Sequence, residues 1–282
     1  MMAVKPASPT GGDDGDESSS SRPAPRIVIG LDTHFIAREA LTLAARLAAS
    51  VDARLRGIFV EDENLLSLSA LPFAREISLS GDVRGLNPDR MLRAMQAQAD
   101  SARRILLRAA ADAHVDCSFA VLRGRPLAAL AAAANAEDTV VLRSPHATAR
   151  EVGRTARAAT RDARADVLLV ARGVGLGGAF PSVAGGSARP LTAIDDGSSG
   201  GEACAAFAET LARRSATPFR RILARGHDVA DVAAAARRIG AGLLVVNADW
   251  LGGDDDAALL SAAAGCPVLL LGGERAPLSP KS

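Results

Sequence analysis

From Arg26 onward the chain alternates short apolar runs with longer stretches whose apolar side chains recur every three or four positions. Arg26-Ile-Val-Ile-Gly-Leu-Asp32 is an apolar run of the length and β-branched content of a buried parallel strand. Residues 35–49 place Ile36, Ala40, Leu43 and Leu47 on one helical face. Residues 53–60 predict a second strand. Residues 61–87 lack a regular period and contain Pro72, Gly81 and Gly85. A long helix is expected from Pro88 to His114, with the stripe Leu92, Met95, Ala99, Ala102, Leu106, Ala109, Ala113. Strands at 116–122, 138–142 and 166–171 then alternate with helices at 126–135 and 147–163. Such alternation predicts an α/β fold, a parallel sheet with helices on both faces.

The pattern then restarts. Residues 173–188 (GVGLGGAFPSVAGGSA) form a Gly-rich linker. Beyond it, Arg189-Pro-Leu-Thr-Ala-Ile-Asp195 aligns without gaps on residues 26–32, and an Ala-rich helix follows each, at 200–214 in this copy. Next, residues 218–224 lead into Arg225-Gly226-His227-Asp228-Val229, which matches Arg123-Gly124-Arg125-Pro126-Leu127 of the first unit. A helix at 228–239, a strand at 242–247, a short helix near 254–264 and a strand at 267–271 complete the copy. The second strand and long helix of the first unit have no counterpart in it. The chain thus divides into a tail (1–25), a first unit (26–172), the linker (173–188), a truncated second unit (189–273) and a short tail (274–282).

Composition narrows the function classes. The tail MMAVKPASPTGGDDGDESSSSRPAP is polar, acidic and low in apolar residues, as disordered segments are. It has no apolar core of a signal peptide, and no apolar run approaches membrane-span length, so the expected location is the cytoplasm. Net charge is +1 and aromatics are 3%. Neither suits a nucleic-acid or membrane partner. Cys117, Cys204 and Cys266 are widely spaced, without a CxxC pair, which indicates neither a disulfide framework nor a metal site. His34, His114, His146 and His227 show no ligand spacing, and no nucleophile elbow, Walker A or HExxH run occurs. No catalytic residue is expected.

The strand ending in Asp32, the segment Gly57-Ile58-Phe59-Val60-Glu61-Asp62, Arg123-Gly124-Arg125-Pro126 before a helix, and Gly265-Cys266-Pro267-Val268-Leu269-Leu270-Leu271 together resemble the universal stress protein (UspA) family. The resemblance covers 26–171 and, in truncated form, 189–272. It implies two tandem Usp-like, Rossmann-like sheets of the adenine nucleotide alpha hydrolase-like kind, strand order 3-2-1-4-5, the second truncated. It also implies an intramolecular pseudo-dimer in which strands 166–171 and 267–271 pair, as edge strands need a partner, with further homo-oligomerisation as a possibility.

Nucleotide-binding members of that family carry G-x2-G-x9-G-[S/T] after the fourth strand, because glycines let backbone N–H groups approach phosphate beside a helix N-terminus. Here Arg143, His146, Ala156 and Arg157 stand at those positions in the first unit, and Asn247, Trp250, Leu260 and Ser261 in the second. Pro145 removes a further donor, and Asp254, Asp255 and Asp256 crowd the last short helix. The expectation is a stress-response module that binds protein or a small ligand, with no cofactor and without ATP. An atypical nucleotide or anion site at Asp32, Val60, Arg143 and His146, with weak ATPase activity, is the first alternative. The second is an acidic-partner surface on Arg150, Arg154, Arg157, Arg161 and Arg164, spaced 4, 3, 4, 3 on one helix. A Leu-rich stretch at 61–79 reads as a lid over the sheet or as a docking surface.

Overall fold

The computed structural model describes residues 25–31, 38–78, 80–143, 148–170 and 188–272. The two tails, most of the linker, Asp32 and His146 lie outside these residues. Parallel strands β1 (Arg26–Gly30), β2 (Arg54–Asp62), β5 (Cys117–Gly124), β6 (Asp138–Leu142) and β7 (Asp166–Leu169) come from the first half. Strands β8 (Leu191–Asp195), β9 (Phe219–Leu223), β10 (Leu243–Asn247) and β11 (Val268–Leu271) come from the second. All nine join in one sheet, in the order β5-β2-β1-β6-β7-β11-β10-β8-β9.

Only the central β7–β11 contact is antiparallel, with Val268 opposite Leu169 and Leu270 opposite Val167. The two strands expected to pair therefore do so, and two expected sheets become one. The order runs 3-2-1-4-5 on one side of this seam. On the other side it is the same with the second strand missing, so that β9 lies directly against β8.

Successive strand residues point to opposite faces, and the core divides accordingly. Ile27, Ile29, Leu55, Phe59, Leu191, Ala193 and Leu269 pack under α1 (Arg38–Val51), α3 (Pro88–Asp112) and α6 (Ser199–Arg214). Val28, Ile58, Val140, Val167, Ile194, Leu244 and Leu270 pack under α4 (Pro126–Ala132), α5 (Ala149–Arg161), α7 (Val229–Arg238) and α8 (Asp256–Ala264). Local signals set the helix starts. Asn87 accepts from the Arg90 N–H ahead of α3, Thr148 and Glu151 form a reciprocal capping box on α5, and Ser198 caps α6.

The two halves are tied on both faces of the seam. On one, Arg214 of α6 donates to the Ser50 carbonyl and to Asp52 Oδ2, both at 2.9 Å. On the other, Arg157 of α5 meets Asp254 Oδ1 at 2.8 Å and donates to the Gly252 carbonyl.

Residues 61–87, expected to be irregular, instead contain α2 (Glu63–Ser69) and a hairpin of β3 (Arg75–Ile77) and β4 (Val83–Gly85). Asp62 caps α2 by accepting from the Asn64 N–H. These elements are too short for a hydrophobic period to show. Leu65 and Leu66 pack against the core, whereas Leu68, Leu71, Phe73 and Ile77 are exposed. Leu79 lies outside the described residues.

Two of the cysteines, Cys204 on α6 and Cys266 before β11, are buried, and Cys117 on the sheet edge is half-buried. Burial pushes the Cys204 and Cys266 thiols up to about 12, and raises Cys117 as well, with help from Asp116. The thiolate is the reactive form. Under native conditions at pH 8, iodoacetamide should therefore modify Cys117 first, and mass spectrometry should find Cys204 and Cys266 intact until denaturant is added. Rapid loss of two or three thiols would contradict this packing.

Candidate functional site

Strand β1 leads to α1 on one face, while neighbouring β6 leads to α5 on the other. Strands that leave in opposite directions open a crevice at their carboxyl ends, where open α/β sheets bind ligands. Its described walls are Leu31, Ile58, Val60, Pro126, Leu130 and Arg143. Gly30 belongs here for a steric reason, since a Cβ on it would come to 3.2 Å from Leu130 Cδ2.

Of the expected site residues, the structure thus brings Val60 and Arg143 together. The described residues leave a cavity of only about 50 Å³, well below the roughly 300–1,000 Å³ of pockets that enclose drug-sized ligands. Around the rim, Arg123 donates to Glu61 Oε2 at 2.8 Å. Glu151 is held below the usual carboxylate range, first by the Thr148 backbone N–H, then by the Thr148 hydroxyl, with smaller contributions from Arg154 and Arg125.

Six of the eight residues aligned with the family's phosphate positions can be placed among core and pairing contacts. Ala156 is buried in the core. Arg157 is committed to Asp254 and the Gly252 carbonyl. In the second half, Asn247 Oδ1 accepts from the Asp249 N–H and Trp250 packs on the apolar core. Leu260 is fully buried, and Ser261 Oγ donates to the Cys266 carbonyl at 3.0 Å. These six groups already have a partner or a core position, whereas Arg143 lines the crevice and His146 lies outside the described residues.

In the second half, an ion pair not foreseen from the sequence sits at the carboxyl end of β8. With no second strand between them, β9 sits beside β8, and Arg221 reaches Asp195: Nε to Oδ2 is 2.9 Å and Nη2 to Oδ2 is 2.6 Å. Asp195 also accepts from the Gly197 N–H. That hydrogen bond, followed by Arg221 and Arg225, holds its carboxyl below the usual range. The Arg225 guanidinium packs over Gly197, whose φ of +81° suits glycine. The signal was present: the missing strand could have placed Arg221 opposite Ala193, on the face of Asp195.

The arginine stripe is shorter than its spacing suggested. Helix α5 ends at Arg161, and Arg164 lies beyond it with φ +52°. Arg157 faces the other half of the molecule. Arg150, Arg154 and Arg161 remain exposed on the helix. The buried face of α5 holds Gly153, Ala156, Ala159 and Thr160. Among the described residues, no three His, Cys, Asp or Glu side chains gather as a metal site would require, and no helix is long and apolar enough to cross a membrane.

A universal stress protein from Archaeoglobus fulgidus DSM 4304 superposes on 86% of this chain and 95% of its own, with a TM-score of 0.55 and 12% identity. The fold is of the universal-stress-protein kind. Two further structures align over a similar span with lower scores. The cytoplasmic domain of a prokaryotic cation chloride cotransporter covers 88% of this chain and 95% of its own, at TM-score 0.40 and 12% identity. A protein of the universal stress protein family from Burkholderia pseudomallei covers 87% and 96%, at 0.23 and 17%. No protein-family model matches the sequence, and no curated protein matches it. At this identity, the likeness to the universal stress protein is one of fold.

Proposed function

We propose that this protein is a stress-response regulatory module, a two-unit variant of the universal-stress-protein fold, which acts by binding protein or a small ligand and does not hold ATP in the family's manner. The observation that carries this reading is the prior commitment of the phosphate positions. Arg157 bridges to Asp254, and Leu260 and Ser261 are buried. Binding phosphate there would require breaking the seam between the halves. The shallow crevice and the Asp195–Arg221 pair support the same reading.

A second reading keeps the first-half crevice as an anion or nucleotide site. It is favoured by Arg143 and Val60 lining one cavity, with Asp32 and His146 as the adjoining groups in sequence. The reading of an acidic partner along α5 retains Arg150, Arg154 and Arg161.

Thermal melting with and without millimolar ATP and AMP separates the first two. A ligand at a hundred times its Kd adds about 2.7 kcal/mol to the native state, which for a chain of this size is roughly 5–10 °C. The expected result is no saturable shift with either nucleotide. A saturable rise abolished by Asp32→Ala would establish the nucleotide reading instead.

A further inference from the structure

Outside the crevice, a groove of about 740 Å³ runs between α1 and the C-terminal half of α3. Its floor is apolar, with Leu41 and Ala45 from α1 and Ile105 from α3. Its rim is cationic, with Arg46, Arg104 and Arg108, and Asp112 stands at its lower end. No step of the proposed function uses it. We propose that this groove is the docking site of the chain's own acidic segment Asp13-Asp14-Gly15-Asp16-Glu17.

Charge complementarity is the first argument. Four carboxylates within five residues are opposite in sign to the exposed guanidiniums of Arg104 and Arg108. The second is reach. The Pro25 carbonyl accepts from the Arg54 N–H, and the Leu55 N–H donates to the Asp116 carbonyl just after α3. Pro25 and the end of α3 thus stand about two strand spacings apart, ~10 Å. From Ala113 to Ser101 the groove climbs another ~18 Å at 1.5 Å per helical residue. Glu17 is eight residues from Pro25 and Asp13 twelve, so extended chain carries them about 26 and 40 Å. The acidic segment can therefore reach the level of Arg104 and Arg108.

The third argument is tethering. A segment joined this closely experiences an effective concentration in the millimolar range. A contact built on a few exposed charges is then occupied within one molecule, where a separate acidic peptide of the same strength would need millimolar supply.

The test places a nitroxide spin label at Gly15→Cys in the Cys117→Ser background, the remaining cysteines being buried, and reads amide resonances of the full-length protein. At low ionic strength, signals from residues 41–46 and 101–109 should lose most of their intensity. They should recover in about 1 M salt, where the screening length falls to about 3 Å. They should also recover in Arg104→Glu/Arg108→Glu, and when Asp13, Asp14 and Asp16 become Asn and Glu17 becomes Gln. Full intensity at low salt overturns the proposal, as does broadening that survives neutralisation of the segment. In a mixture of unenriched labelled chain with enriched unlabelled chain, broadening of the enriched signals would assign the groove to a second copy and overturn the intrachain contact.

Discussion

Replacing Gly153 with alanine is expected to lower the melting temperature, against the direction that helix propensity alone would give. Gly153 lies inside α5, where alanine should gain about 0.5–1 kcal/mol. A Cβ there, however, would sit on the Asp254 carbonyl group. The obstacle is backbone, which cannot swing aside as a side chain can. Overpacking of this kind costs typically about 1–3 kcal/mol and occasionally more. Moving α5 back would also stretch the Arg157–Asp254 pair, so the upper end applies. A net loss of about 2 kcal/mol corresponds to a fall of roughly 4–8 °C. The control is Gly85→Ala on the exposed hairpin, where a Cβ meets nothing within 4 Å and the melting temperature should barely change. A rise for Gly153→Ala would mean that α5 and the loop before α8 do not meet this closely, and the argument from occupied phosphate positions would lose its anchor.

Gly153 also marks where sequence reading stops. A glycine in a helical pattern signals lower propensity, and nothing in its neighbours names the carbonyl it faces. The regular elements were legible because their periods are long enough to see. The strand expected at 138–142 is β6 over those residues, and the stripe Met95, Ala99, Ala102, Leu106 is the buried face of α3. Pairing of the strands near 166–171 and 267–271 was implied by the family resemblance, and it covers two edges. Charge was read less well. Five arginines at helical spacing define a face, but spacing carries no information about what lies opposite. Arg157 found Asp254 only because α5 packs beside α8, and Arg164 stands three residues past the end of α5, on left-handed backbone. Arg221 is an intermediate case. Its role follows from the missing strand, which the sequence did reveal, through a consequence of topology: removing one strand makes neighbours of the two beside it. The short α2 and the β3–β4 hairpin were missed because three to seven residues carry too little periodicity to separate from loop.

The other large effect lies at the start of β1, in the first residue of the first strand. Arg26 is opposite Asp138 of β6 in the sheet register. It donates from Nε to Oδ1 at 2.8 Å and from Nη2 to Oδ2 at 2.6 Å. Asp138 is 1% exposed and also accepts from the Asn135 N–H at 2.8 Å. The hydrogen bond to Asp138 is the main cause that raises the Arg26 guanidinium above its ordinary value. A raised folded-state value contributes stability that is present below the unfolded value and is lost only as pH rises through the folded one, so across the neutral range Arg26 stays charged. Arg26→Met keeps most of the stem's packing but leaves a carboxylate buried without its cation. Breaking one partner of a buried pair costs about 3–5 kcal/mol. Because the Asn135 N–H remains and Arg26 is itself a quarter exposed, about 3 kcal/mol is expected. Arg26→Met/Asp138→Asn removes the orphaned charge and keeps an acceptor for Asn135, so it should recover most of that loss, in line with the near-neutral exchange of buried ion pairs for uncharged groups. Urea unfolding of the three proteins provides the measurement, read as a shift in midpoint at constant slope. Equal losses in the single and double variants would show that Arg26 stabilises the fold through its stem or its backbone, and that the charge on Asp138 is met by water.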